Sequence, residues 1–122
     1  MRSSWLVLIV AVGCSSSPPA IDASMDRAPC EAAYQASLDR ACTVPADCAL
    51  TSHEDCCGTV KTGIRSGTEA AALAAESTYG ACFDCGARGC FHADVAEDGA
   101  APQAGESIVS RCVANRCVCV VQ

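Results

Sequence analysis

Cys48-Ala49-Leu50-Thr51-Ser52-His53-Glu54-Asp55-Cys56-Cys57-Gly58-Thr59-Val60-Lys61-Thr62-Gly63-Ile64 is the stretch from which the rest of this chain is read. Asp47–Ser52 reads as a strand with Cys48 and Leu50 on one face, and His53-Glu54-Asp55 as a polar turn. Thr59, Val60, Thr62 and Ile64 give the returning segment strand character, so the pattern predicts a β-hairpin. Cys56 and Cys57 open the return. A bridge between neighbouring cysteines closes a strained ring, so the two are expected to point to opposite sides and clasp two different elements. That places the 48–64 hairpin at the centre of the fold.

Upstream, Pro29 suits a first helical turn, Glu31 favours a helix N-terminus, and Cys30, Tyr34, Leu38 and Cys42 recur every four residues. A helix over Ala28–Ala41 follows, stopped by Val44-Pro45. Downstream, Ser66 and Glu69 form a capping-box signature for a second helix, Gly67–Tyr79. Its inner face is expected at Ala70, Leu73, Ala74 and Ser77, with Gly80 as the stop. Ala81–His92 reads as a cysteine-dense loop and Ala93–Glu106 as a mobile surface excursion. Ser107–Ala114 and Cys117–Val121 form a second hairpin across Asn115-Arg116, which would set Cys112 opposite Cys119 and Val113 opposite Val118.

Eleven cysteines follow Cys14, whereas large apolar residues are few once alanine and cysteine are set aside. Such a chain buries little surface, and bridges supply what the core lacks. The expected architecture is a small disulfide-rich α+β domain, residues 28–122, with two short helices and two β-hairpins stapled by about five disulfides. The candidates are Cys42, Cys48, Cys56, Cys57, Cys82, Cys85, Cys90, Cys112, Cys117 and Cys119. Cys30, nearest the N-terminal tether, is the candidate left unpaired. Connectivity stays open, with on the order of 10,000 possible pairings.

Leu6–Cys14, Leu-Val-Leu-Ile-Val-Ala-Val-Gly-Cys, follows Arg2 and carries most of an apolar run, Trp5–Val12, far short of a membrane span. The order of positive end, apolar run, small residue and cleavage point is that of a secretory signal over residues 1–13. Gly13-Cys14 resembles the lipobox of bacterial lipoproteins, which implies lipidation of Cys14, a cell-envelope location and, with Ser15 next, outer-membrane sorting facing the periplasm or the cell surface. Residues 14–27, rich in serine and proline, read as a flexible tether. Cys42-x5-Cys48, Cys56-Cys57-Gly58 and Cys112-x4-Cys117 resemble the eight-cysteine-cluster domains of exported bacterial proteins over roughly residues 42–119. That resemblance implies a fold but no activity.

Loss of the leader removes Arg2 and leaves seven basic against fourteen acidic residues, with no Lys/Arg cluster. This excludes charge-driven binding to nucleic acid. Cys82-x2-Cys85-x4-Cys90-x-His92 has a zinc-knuckle look, but exported thiols oxidise first, so disulfides are the expectation and no metal or cofactor is assigned. A thiol-redox reading of Cys82-x2-Cys85 lacks the strand–helix–strand order it needs. His53 and His92 are expected as surface or turn residues. No Gly-x-Ser-x-Gly or phosphate-cradling motif occurs, which leaves no catalytic residue to assign. The leading expectation is a membrane-anchored, non-catalytic surface lipoprotein that binds an envelope or extracellular protein. The alternative is a protease-inhibitor-like module presenting Arg88 between Cys85 and Cys90.

Overall fold

The computed structural model describes residues 23–82, 84–86 and 89–122. Residues 1–22, which include the expected leader, Cys14 and most of the expected tether, lie outside the described residues, as do Phe83, Ala87 and Arg88. The elements in order are α1 (Ala23–Ser37), a 3-10 turn (Pro45–Asp47), β1 (Cys48–Glu54), β2 (Thr59–Arg65), α2 (Glu69–Cys82), β3 (Val95–Ala96), β4 (Ile108–Val113) and β5 (Arg116–Val121). β1, β2 and β3 form one sheet in that order, and β4 and β5 form a second, two-stranded one. The small disulfide-rich α+β architecture with two helices and two hairpins is therefore present, with a short parallel strand added.

The 48–64 hairpin forms, with Cys48 opposite Arg65 and Glu54 opposite Thr59. Its turn is tighter than the sequence implies, because β1 runs on through His53 and Glu54. Asp55 closes it: its N–H donates to the Gly58 carbonyl at 3.0 Å, and its carboxylate accepts from the Cys57 and Gly58 N–H groups at 2.9 Å each. Cys56 takes φ 75° there.

Both helices are displaced from their expected limits. α1 begins at Ala23, takes Pro29 inside it, and ends at Ser37. The chain then pairs with its neighbours in extended form: Arg65 N–H donates to Asp39 O, Cys117 N–H to Arg40 O and Cys42 N–H to Asn115 O. These bonds outcompete another helical turn, so Cys42 leaves the helical stripe. α2 begins after Thr68, whose hydroxyl donates to Arg65 O, while the expected cap Ser66 reaches back to Ala46 O. It passes Gly80 and ends at Cys82. Its inward face carries buried Ala72 and Tyr79 with half-buried Ala75 and Glu76; Leu73 is 71 % exposed. An alanine-rich helix has little apolar contrast of its own, and the bridge at Cys82 and the Tyr79 ring set its phase instead.

The second hairpin turns one residue earlier than expected. Ala114 and Asn115, at φ 50° and 60°, are its two central residues, as a two-residue turn with both φ positive requires. Cys112 therefore faces Cys117, and Val113 faces Arg116. The 93–106 segment is also more than a surface excursion. Val95–Ala96 pairs in parallel with β2 and Ala96 is fully buried.

Five disulfides form: Cys30–Cys82, Cys42–Cys112, Cys48–Cys117, Cys56–Cys85 and Cys57–Cys90. Cys30 is thus not the leftover; α1 and α2 lie side by side and bring it to Cys82. The free thiol among the described residues is Cys119, buried on β5. Cys56 and Cys57 do not bridge each other, but both clasp one loop rather than two elements. The bridges span 29 to 70 residues, and in the chain-entropy description loops of that length are worth about 3.5–4.5 kcal/mol each, taken singly.

β5 crosses β2 at Gly63, where a Cβ would lie 2.6 Å from the Val118 carbonyl carbon and 2.7 Å from its nitrogen. Backbone cannot yield there as a flexible side chain would. Gly63→Ala is expected to lower stability by about 2 kcal/mol, read as a reduced urea midpoint at unchanged m-value with the disulfides intact.

Candidate functional site

Two helices and a strand meet around His53. α1 supplies Glu31 and Tyr34, and α2 supplies Glu76 and Tyr79, in each case one turn apart on the same face. β1 delivers His53 between them, 3 % exposed. His53 Nδ1 lies 2.7 Å from a Glu76 carboxylate oxygen and Nε2 lies 2.9 Å from one of Glu31. The Tyr34 ring stacks on the imidazole at 4.0 Å and 16°, and Tyr79 meets it edge-on at 4.3 Å.

The remaining carboxylate oxygens are also occupied. Glu76 Oε1 accepts the Glu54 N–H at 2.9 Å, and Glu31 Oε1 accepts from Gln35 Nε2 at 3.1 Å. Arg27 Nε donates to the Tyr79 hydroxyl at 3.2 Å. A carboxylate accepts only, so whichever ring nitrogen carries hydrogen donates to the glutamate it faces. Burial, then the carboxylates of Glu76 and Glu31, push the Tyr34 phenol up, so it stays protonated. For Glu31, burial pushes the carboxyl up, but the bonds from Gln35 and His53 outweigh it and hold it low.

His53 is therefore a core residue, not the surface or turn residue expected from its polar neighbours. A signal for it does stand in the sequence: Glu31-x-x-Tyr34 and Glu76-x-x-Tyr79 repeat one spacing on the two helices.

His92 occupies the second polar node, in the loop after Cys90. Its Nδ1–H donates to Ala93 O at 2.6 Å, and its Nε2 faces Asp55 at 2.7 Å. Asp55 is the residue that closes the hairpin turn, so His92 buttresses the turn to which Cys85 and Cys90 are bonded. Cys82, Cys85 and Cys90 bond to Cys30, Cys56 and Cys57, so none of the three is free for the zinc-knuckle arrangement with His92. Arg88 falls outside the described residues, and the inhibitor reading built on it takes nothing from the structure.

Carboxylates line the clefts flanking the His53 cluster. One, of about 390 Å³, opens between Arg27, Glu31, His53, Asp55 and Glu97. The other, about 670 Å³, lies over the end of α2 and is edged by Glu54, Glu76 and Asp84. Among the described residues no helix is long and apolar enough to cross a membrane. No family model, no curated protein and no solved structure matches the chain.

Two outcomes follow from these nodes. His53→Phe keeps an aromatic ring between the tyrosines but leaves Glu31 and Glu76 without their donor. It is expected to cost about 2 kcal/mol in urea unfolding at neutral pH, the modest end for a broken buried pair because Glu31 keeps about a third of its side chain exposed. At the turn, the Ala93 carbonyl and then Asp55 raise the His92 ring above its ordinary 6.5. Burial pushes Asp55 up, but His92 and the Cys57 and Gly58 N–H groups together hold it below 3.8. Each charged form is favoured by folding. The His92 contribution is complete below 6.5 and lost as pH rises through the raised value; the Asp55 contribution is complete above 3.8 and lost as pH falls through the lowered one. NMR titration of the His92 ring is expected to give a midpoint above 6.5 that falls in Asp55→Asn.

Proposed function

We propose that this chain is an exported lipoprotein, cleaved before Cys14 and moored to the outer membrane through lipid on that cysteine, which presents a rigid, non-catalytic binding module to an envelope or extracellular protein. The observation that carries the reading is the fate of the sulfurs. Five disulfides belong to an oxidising compartment. They use ten of the twelve cysteines, and the other cysteine besides Cys14 is Cys119, 2 % exposed. An exported Cys14 thus meets no exposed free thiol among the described residues, and thioether formation is the chemistry that its Gly13-Cys14 context favours.

The non-catalytic part rests on the histidines. The chain has two, and each has oxygen acceptors of the fold at both ring nitrogens. Neither offers a nitrogen to a substrate proton. The acidic surface likewise favours a protein partner over nucleic acid. The resemblance to eight-cysteine-cluster domains agrees with a stapled surface module.

Expression of the full chain in a Gram-negative host with an alkyne fatty acid tests the reading. The wild-type chain is expected to take up label, lose residues 1–13 and enter the detergent phase of a Triton X-114 partition. Cys14→Ala is expected to take up none and to remain unlipidated. Label retained in Cys14→Ala, or an unlabelled wild-type protein in the aqueous phase, overturns it.

A further inference from the structure

We propose that β4 pairs edge to edge with β4 of a second copy of this chain, joining the two hairpins into one antiparallel sheet about a two-fold axis at Ser110. The phase of the β4–β5 ladder fixes which backbone groups are free. Ser107 and Gln122 bond reciprocally at 2.8 and 2.9 Å, so alternation assigns the same bonding to Val109–Val120, Arg111–Val118 and Val113–Arg116. Ile108, Ser110 and Cys112 therefore turn both N–H and C=O away from β5. Among the described residues none of those backbone groups has a hydrogen-bond partner. On each other strand an outward group is taken. Cys117 and Cys119 N–H of β5 meet Arg40 O and a Glu97 carboxylate at 2.7 Å each, and Arg65 N–H of β2 meets Asp39 O at 2.8 Å. Glu54 N–H of β1 meets Glu76 at 2.9 Å, and Ala96 N–H of β3 meets Ala100 O at 2.8 Å.

Nothing blunts this edge. β4 reads Ile-Val-Ser-Arg-Cys-Val, without proline or lysine, and its register with β5 runs unbroken. The face turned away from the buried Cys117 and Cys119 carries Val109, Val113, Val118 and Val120 with Arg111 and Arg116, and Val113 is 52 % exposed. The chain holds fourteen acidic residues against eight basic, yet no acidic residue lies in 107–122. Two copies of so acidic a chain repel each other least across this hairpin.

The occupant is a second copy because the edge complements itself. With Ser110 facing Ser110 of the second copy, Ile108 falls opposite that copy's Cys112, and Cys112 opposite its Ile108. Every outward N–H then meets an outward C=O. A slip of one residue sets outward groups against inward ones, and a slip of two leaves one of the three residues beyond the strand end. In between, Val109 faces Arg111 of the second copy, so no like charges stand directly opposite. The Arg111 guanidinium meanwhile donates to Gln122 within its own chain. Such a contact is closed and two-fold, using the same surface on both partners.

Photo-cross-linking of the full chain, exported by a Gram-negative host with p-benzoylphenylalanine in place of Val109, tests this. A reducing gel, which removes any disulfide-linked species, is expected to show a product of twice the single-chain mass. Its fragments are expected to come from this chain alone and to join position 109 to the 108–113 segment of the other copy. The same group in place of Leu73, 71 % exposed on α2, is expected to give no such product. Ser110→Pro removes the central donor but leaves the β4–β5 ladder whole, because that N–H faces away from β5. It is expected to cut the yield roughly tenfold or more. Ser110→Ala loses the hydroxyl bond to Cys48 O but keeps the N–H, and retains the yield. An intact mass with all five bridges closed separates lost pairing from lost folding in Ser110→Pro. Absence of the doubled product, a cross-link to a different protein, an equal yield from position 73, full yield in Ser110→Pro, or as great a loss in Ser110→Ala overturns the proposal.

Discussion

Covalent closure through sulfur is what this fold depends on. Among the described residues Ile64 is the one large aliphatic side chain that is fully buried; its buried hydrophobic companions are alanines, cysteines and two tyrosines. Hydrophobic burial on that scale does not offset the conformational entropy of about a hundred residues. The bridges act on the other side of the balance, by shrinking the unfolded ensemble. Their placement follows the need. Cys42–Cys112 and Cys48–Cys117 hold the two-stranded sheet to the start of β1, Cys30–Cys82 joins the helices, and the Cys56 and Cys57 bridges tie down a loop with little apolar content.

Where the helices meet the sheet, a polar cluster takes the place of an apolar core. His53 draws one carboxylate and one aromatic ring from each helix, so α1 and α2 contribute alike despite unrelated surrounding sequence. In low dielectric such a network is strong when every member is satisfied and costly when one is missing. The carboxylates meet that condition through Gln35 and the Glu54 N–H as well as through His53. The Cys30–Cys82 bridge lies beside it and fixes the spacing between helices that the cluster needs. The disulfide and the hydrogen bonds thus hold the same joint by different means.

Local pattern made the hairpins, the helices and the sulfur framework legible, because β-branched alternation, helical spacing and cysteine density are properties of short windows. What escaped was set from a distance. His53-Glu54-Asp55 looks like a turn by composition, yet β1 extends through His53 because Glu31 and Glu76, each more than twenty residues away, receive its ring. α2 presents Ala72, Ala75, Glu76 and Tyr79 rather than Ala70, Leu73, Ala74 and Ser77, since its alanines leave the phase to Cys82 and Tyr79. The β4–β5 register moved because Ala114, a residue with no turn signature, adopts positive φ beside Asn115. That shift slides β5 by two residues against β4, so Cys117 rather than Cys119 lies opposite Cys112.

The odd cysteine shows how a free thiol persists beside five disulfides without scrambling them. Exchange needs a thiolate with access to a bridge. Cys119 has neither. Its sulfur sits against the Lys61 carbonyl and accepts the Glu97 N–H at 3.1 Å, under a segment that β3 and the Arg40–Glu97 ion pair hold in place. Burial raises its thiol, and although the Glu97 N–H works the other way, the nearby Glu97 and Asp98 carboxylates add to the rise. The proton that would have to leave is the one directed at Lys61 O, so ionisation would also cost a hydrogen bond. In this setting Cys119 is a small core residue of β5, filling a place beneath β3 that the sparse apolar content of the chain leaves to sulfur.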